Sequence, residues 1–207
     1  MKIRQTLGWL GLCGLAYLFL QVNASASVEP EPYRLLKEPS THASGKVNME
    51  IFVDFYCPHC HHFEASVLPE LRNEFGARLN VTEVGLPVIR NRSRLPFELY
   101  EAARAEGKGA DMVRVLFRVL QDEKRDIEDP AVQEMIIKEA GVDQDAIKKR
   151  LASGEPKRAL DEGIARANRN GVSSTPAILL DGYVLTENPT AGNLHALITH
   201  LLSGQKL

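Results

Sequence analysis

Two thiols separated by two residues, in Cys57-Pro58-His59-Cys60, follow directly on the apolar run Ile51-Phe52-Val53-Asp54-Phe55-Tyr56. That order puts both sulfurs where a strand hands over to a helix. Thiolate is the nucleophile in disulfide exchange, and the unpaired N–H groups and macrodipole of a helix N-terminus favour negative charge, so Cys57 is expected to be the acidic, attacking thiol. Cys60, one helical turn further on, is placed to resolve. Pro58 just inside the helix start gives up no hydrogen bond there, and His59, when protonated, adds a positive charge beside the sulfurs. Stabilising the thiolate stabilises the reduced form, which makes the disulfide a stronger oxidant. The candidate catalytic set is therefore Cys57, Cys60, His59 and Pro58.

The same stretch admits a second chemistry. Cys57, Cys60, His61 and His62 offer two soft sulfurs and two imidazoles that could bind zinc or copper, as a metal-delivery protein would. Against this, Pro58 and the preceding strand restrict the ligand arc, and no second Cys or His cluster is near in sequence. No metal site is assigned. His61 and His62 read most simply as surface or helix-packing residues, and His195 and His200 as solvent-facing positions of the last helix.

These residues need a frame. Val47 to Phe55 is mostly apolar and rich in β-branched and aromatic residues, as a strand covered on both faces should be. From Pro58 to Phe75 the pattern is helical, with Phe63, Val67 and Leu71 four residues apart as a core stripe, and Pro69 is expected to bend that helix. Gly76 ends it, and Leu79 to Val84 reads as a second strand, completing a βαβ unit. Four helical patterns follow, over Phe97–Glu106, Asp111–Gln121, Pro130–Ala140 and Asp143–Leu151. Another helix runs from Pro156 to about Asn170. Ala177–Leu180 and Tyr183–Leu185 flank Asp181-Gly182, which suits a tight hairpin turn. Thr190 caps a last helix carrying Leu194, Leu197, Ile198 and Leu201. Arg90, Arg92 and Arg94 read as a solvated loop, with partner docking as the alternative.

The N-terminus bears on compartment. Lys2 and Arg4 precede the apolar stretch Leu7–Leu20 and then Ala24-Ser25-Ala26, the order of a secretory signal peptide over residues 1–26. An uncleaved anchor is the competing reading, although the apolar stretch falls short of the ~20 residues that span a bilayer. Cleavage would discard Cys13 and leave Cys57 and Cys60 as the one couple of an exported thiol protein, not a disulfide-stapled scaffold. Residues 27–46 would then be a tether or edge segment. With 25 basic and 27 acidic residues the net charge is −2, and −4 without Lys2 and Arg4, which argues against a general nucleic-acid binder. Hydrophobic and charged fractions of 44% and 25% are those of an ordinary globular chain, so a full core is expected.

Taken together, strand, CxxC helix, strand, helical block, helix, hairpin and terminal helix resemble the α/β thioredoxin-like fold with an inserted helical domain of the DsbA-like disulfide oxidoreductases. The resemblance covers residues 47–207, with the insertion at about 95–155. Its carriers are Phe55-Tyr56-Cys57-Pro58-His59-Cys60-His61-His62-Phe63-Glu64 and Val172-Ser173-Ser174-Thr175-Pro176-Ala177. It implies a cis Pro176 packed beside the disulfide; a trans proline that merely begins an edge strand is the alternative. Thr175 and Pro176 would be the substrate-binding pair, with Thr175 offering its N–H and C=O to an extended segment as though lengthening a sheet.

The resemblance further implies a periplasmic monomer with no dissociable cofactor. It would donate the Cys57–Cys60 disulfide to exported proteins with reduced cysteines and be reoxidised by a membrane partner of the DsbB type. A reductase or isomerase using the same cysteines in the opposite direction stays open. Two positions depart from the family. Where a buried acid often stands six residues before the first cysteine, this chain has Ile51. Glu50 falls on the opposite strand face, which leaves Asp54 and Glu64 as proton acceptors for Cys60 through water, or as solvated charges. Thr175 also stands where the best-known oxidases carry Val, a feature shared with isomerases. Those resemble dimers built on a separate N-terminal domain, which residues 27–46 are too short to supply.

Overall fold

A computed structural model describes residues 32–204. The expected signal peptide, with Cys13, and the first five residues of the 27–46 segment lie outside the described residues. The chain forms β1 (Arg34–Leu35), β2 (Val47–Val53), α1 (Pro58–His62), α2 (Leu68–Phe75), β3 (Leu79–Gly85), α3 (Leu95–Ala105), α4 (Gly109–Phe117), α5 (Pro130–Glu139), α6 (Gln144–Ser153), α7 (Glu155–Arg169), β4 (Ala177–Leu180), β5 (Val184–Thr186) and α8 (Ala191–Leu202). One sheet is ordered β1-β5-β4-β2-β3, with β2 and β3 parallel and the other pairs antiparallel. This is the thioredoxin fold, with the block α3–α6 inserted between β3 and α7. No helix among the described residues is long and apolar enough to cross a membrane.

Alternation along β2 divides the core between the two faces of the sheet. Val47, Met49 and Ile51 pack with Phe63, Leu68 and Leu71 and with Leu194, Leu197 and Ile198 of α8. Phe52 points the other way, toward Ala167 of α7 and Leu179 and Leu185. On that face α7 lies tight against β3: a Cβ on Gly163 would come within 2.9 Å of Val84 Cγ1, and one on Gly85 within 2.9 Å of Leu160 Cδ1. A third cluster joins Val53, Phe55, Cys57 and Cys60 to Phe97, Tyr100, Leu116 and Phe117 of the insertion. The sulfurs thus belong to the seam between sheet and inserted helices.

Several expectations are adjusted. The first strand stops at Val53, and Asp54 leaves the ladder to bind backbone amides elsewhere. Pro69 does not kink the helix at its own position. The irregularity comes before it, as a π-turn over Phe63–Val67 in which Leu68 N donates to Phe63 O, so that Pro69 falls in the first turn of α2, where its missing N–H costs little. The second helix of the insertion also ends in a π-turn, Arg118–Asp122. The hairpin is one residue wider than a two-residue turn, since Leu180 pairs with Val184 and Tyr183 joins the turn. Asp181 and Gly182 both take positive φ, 47° and 77°, as expected of that dipeptide. Within the tether, Arg34 and Leu35 pair with Leu185 and Val184 as an edge strand.

Candidate active site

Cys57 is the N-cap of α1, with extended φ/ψ of −83° and 118°, and Pro58 occupies the first turn. Its N–H donates to Asp54 O at 3.0 Å, and its carbonyl accepts from His61 N at 3.2 Å. The Thr175–Pro176 peptide is cis. The Cys57 thiol donates to Thr175 O at 3.4 Å, so the segment before β4 lies directly against the first sulfur. Among the described residues both cysteines are free, Cys57 being 6% exposed and Cys60 2%. Burial pushes the Cys60 thiol up to about 12, against a backbone hydrogen bond from Asp54 and the Thr175 hydroxyl, which favour its thiolate. That hydroxyl is itself buried with no formed hydrogen bond, a donor close to the inner sulfur that nothing else claims.

Two side chains brace the turn that carries Cys57. Asp54 is fully buried, and both of its oxygens are engaged. Oδ1 accepts from Tyr56 N at 2.9 Å, while Oδ2 accepts from Val88 N and Ile89 N at 2.8 Å each. This corrects the reading of Asp54 as a solvated charge or water-linked proton acceptor: it ties the loop after β3 to the active-site turn. Gln121, in the π-turn ending α4, donates from Nε2 to Phe55 O and Cys57 O at 3.0 Å each. The insertion thereby grips the same turn from the other side.

The remaining candidates divide between rim and scaffold. His59 and Pro58 are exposed. His59 lines a cavity of about 350 Å³ with His62, Phe63, Thr175, Pro176 and Glu187. Pro58 lines a larger cleft of about 690 Å³ with Tyr56, Arg92, Gln121 and Lys124. His61 faces the insertion, stacked on Phe117 at 5.5 Å with Nε2 3.6 Å from Asp122 Oδ2. Among the described residues no group of three or more His, Cys, Asp or Glu side chains could hold a metal ion. The arginine loop is not uniformly solvated: Arg92 lies over the Tyr56 ring at 5.3 Å, and Arg94 pairs with Asp161 of α7 at 2.5 Å. His195, though exposed, pairs with Glu74 at 2.8 Å. Glu50 does lie on the opposite strand face, held by Arg166 of α7 at 2.5 Å.

An acid that sequence reasoning passed over stands beside the position of the missing one. Glu83 of β3 pairs in register with Ile51, is 6% exposed, and its Oε1 has no hydrogen-bond partner. Tyr100 of α3 reaches it, with the hydroxyl 2.8 Å from Glu83 O and 3.3 Å from Oε2. Burial raises the Glu83 carboxyl. Burial and the nearby Glu83 charge likewise raise Glu64 to about 7, against Arg72. The available signal was the strand period, which puts Glu83 on the inward face with Leu79 and Val81.

A buried CxxC pair at a helix start, facing a cis-proline segment on a thioredoxin sheet, defines a thioredoxin-fold dithiol protein. The family model described as DSBA-like thioredoxin domain matches residues 48–199, and the chain belongs to that family. Among curated proteins it is similar to the probable disulfide bond formation protein D of Bacillus cereus, 27% identical over 139 residues that cover 63% of this chain and 63% of that protein. The corresponding protein of Bacillus anthracis matches at the same identity and coverage. The match thus spans less than two thirds of these relatives' length. Among solved structures, the oxidoreductase DsbA from Xylella fastidiosa superposes with a TM-score of 0.67 at 18% identity, covering 83% of this chain and 95% of that one. DsbL from Salmonella enterica serovar Typhimurium gives 0.64 at 17% identity, covering 88% and 100%. At these identities the structures speak for the fold.

Proposed function

We propose that this protein is a disulfide donor acting outside the cytoplasmic membrane, in the periplasm, on exported proteins with reduced cysteines. A substrate thiolate attacks Cys57 Sγ, the Cys57–Cys60 bond breaks, and the electron pair leaves on Cys60. A second substrate thiolate then attacks the sulfur joined to Cys57, forming the substrate disulfide and leaving both enzyme cysteines reduced. The start of α1, with its unpaired N–H groups, points at the Cys57 sulfur as it departs, and His59 stands two residues on at the exposed rim. Thr175 and Pro176 bind the substrate segment, and the protein works as a monomer without a dissociable cofactor. Reoxidation falls to a membrane partner of the DsbB type.

One observation carries the reading: the Cys57 thiol contacts the Thr175 carbonyl while Cys60 is sealed behind it. An extended peptide hydrogen-bonded along Thr175 would bring its own sulfur to Cys57 and not to Cys60. The test is equilibration of the purified protein with glutathione buffers of graded ratio, followed by trapping of free thiols. A donor becomes reduced at mildly reducing ratios. Resistance to reduction comparable with that of thioredoxin overturns the donor direction and leaves a reductase.

A further inference from the structure

Two openings adjoin the reactive sulfur. One holds Thr175 and Pro176 and is bordered by His59. The other, of about 690 Å³, shares none of those residues and is bordered by Tyr56 and Pro58, which stand on either side of Cys57 in the chain. The donor mechanism uses only the first. A segment lying along Thr175 continues past Cys57 at about 3.3 Å per residue, so a side chain two or three positions from the attacking cysteine has the reach to enter the second.

The walls of this second cleft are two loops, one after β3 carrying Asn91 and Arg92, the other after the π-turn of α4 carrying Lys124. Three non-glycine residues among the described ones take positive φ. One is Asp181 of the hairpin, and the other two are Asn91 at 58° and Lys124 at 53°, both in these walls. Each loop is tied to the active-site turn: Val88 and Ile89 donate to Asp54 Oδ2, and Gln121 donates to the Cys57 carbonyl. The backbone that carries the cations is therefore fixed relative to the sulfur.

Their charges are not spent inside the protein. Arg94 meets Asp161 and Arg150 meets Glu106, but among the described residues Arg92 and Lys124 meet no carboxylate. Arg92 lies over the Tyr56 ring at 5.3 Å, which orients its guanidinium and leaves the in-plane N–H groups for an incoming carboxylate. The third cation of the lining, Arg125, stands 4.0 Å from Glu123. Of the two acids in the lining, Asp126 accepts from Glu128 N within its own turn, and Glu128 faces the cations. Three cations against two acids leave the cleft with one positive charge. Burial raises the Tyr56 phenol, and Arg92 opposes this more strongly than any of Asp54, Glu128 or Asp126 adds to it, so Arg92 is the strongest single charge at the end beside Cys57.

We propose that this cleft seats an acidic side chain of the substrate, Glu or Asp, two or three residues from the cysteine that attacks Cys57, with Arg92 and Lys124 as its partners. A basic side chain at the same place meets two cations without counter-charges and is disfavoured. The proposal names a substrate class for the donor reading and rests on that reading.

The test uses two-cysteine peptides that differ only by Glu or Lys at two or three positions before or after the first cysteine. Each peptide dithiol is oxidised to its disulfide while the Cys57–Cys60 disulfide is reduced to two thiols. Each rate is divided by that of the same peptide with hydroxyethyl disulfide, which removes the effect of the neighbouring charge on the peptide thiol. For the best-placed position the wild type should favour Glu over Lys by roughly 3- to 10-fold at low salt, and the ratio should fall in about 0.5 M sodium chloride. Lys124→Glu should bring the ratio to one or below, and adding Arg92→Glu should reverse the preference. Lys149→Glu on α6, the same change in net charge outside the cleft, should keep the wild-type ratio. A wild-type ratio near one at every position, an unchanged ratio in folded Lys124→Glu, or an equal loss in Lys149→Glu overturns the cleft assignment and leaves the donor reading intact. A wild type that oxidises none of the peptides overturns both.

Discussion

Cys57 Sγ and the carbonyl oxygen of Thr175 lie 3.4 Å apart, joined by the thiol proton across the active site. The outer sulfur therefore meets the surface where a substrate backbone would lie, and Cys60, deeper and only 2% exposed, does not. This asymmetry should be visible chemically. Alkylation of the reduced protein at neutral pH modifies Cys57 first and Cys60 at least tenfold more slowly, since Cys60 lies deeper and burial pushes its thiol up to about 12. Cys60→Ala whose Cys57 has first been converted to the glutathione mixed disulfide passes to mixed disulfides with unfolded reduced proteins on non-reducing gels, the substrate thiolate displacing glutathione as its thiolate, and Cys57→Ala treated alike does not. Equal labelling of the two cysteines in tryptic digests contradicts the geometry.

The Thr175 hydroxyl serves Cys60 at a structural cost. Its Oγ1 is buried without a partner, yet it stands where it favours the Cys60 thiolate. Thr175→Val removes an unsatisfied polar atom and keeps the shape, which should raise stability of the reduced protein by about 1 kcal/mol in urea titrations. The same change should slow reduction of the disulfide several-fold, because the leaving sulfur loses a donor. Faster reduction in the variant would count against this assignment.

Asp54 makes the strongest claim on stability near the site. Its carboxylate accepts three backbone N–H groups, from Tyr56, Val88 and Ile89, in full burial. Asp54→Ala strands all three, at a cost on the order of 3 kcal/mol or more, while Asp54→Asn keeps an acceptor at one oxygen and loses less. Hydrogen exchange should localise the damage, with the amides of Val88 and Ile89 losing protection before those of β2. Retained protection in Asp54→Ala means that the loop is held by something else.

How much of this was legible in sequence depends on the range of the interaction. The strand-to-helix handover at Cys57, the Asp181-Gly182 turn and the Thr190 cap, whose side chain accepts from Asn193 N, are set by residues a few positions apart. Periodicity likewise found the helices of the insertion. What stayed hidden depends on chain segments meeting: Gln121 reaches back to Phe55 and Cys57, and Tyr100 reaches Glu83. Glu83 looked like an ordinary polar residue in Leu79-Asn80-Val81-Thr82-Glu83-Val84, because β3 is the sheet edge and α3 supplies the cover from outside the strand. Asp54 was visible but misjudged, since nothing local announces that an acid will be consumed by amides 34 and 35 residues later.

Glu64 and Glu83 should tilt stability with pH in the direction opposite to that of a salt-bridged carboxylate. Glu64 has an ordinary value of 4.5 and is raised to about 7 in the folded protein, chiefly by burial and then by Glu83. Between those values the native state holds a proton that the unfolded chain has released, so stability falls as pH rises through that interval. Its contribution is fully present below about 4.5 and gone above about 7. Glu83, raised in the same direction, adds to the slope without changing its sign. Glu64→Gln removes a charge that the fold resists. It should leave the urea midpoint unchanged at pH 4.5, where the wild-type acid is mostly protonated in the folded state, and raise stability at pH 8 by about 1–3 kcal/mol. A variant less stable than wild type at pH 8 would mean that the Arg72 attraction outweighs desolvation and that Glu64 is held as a carboxylate.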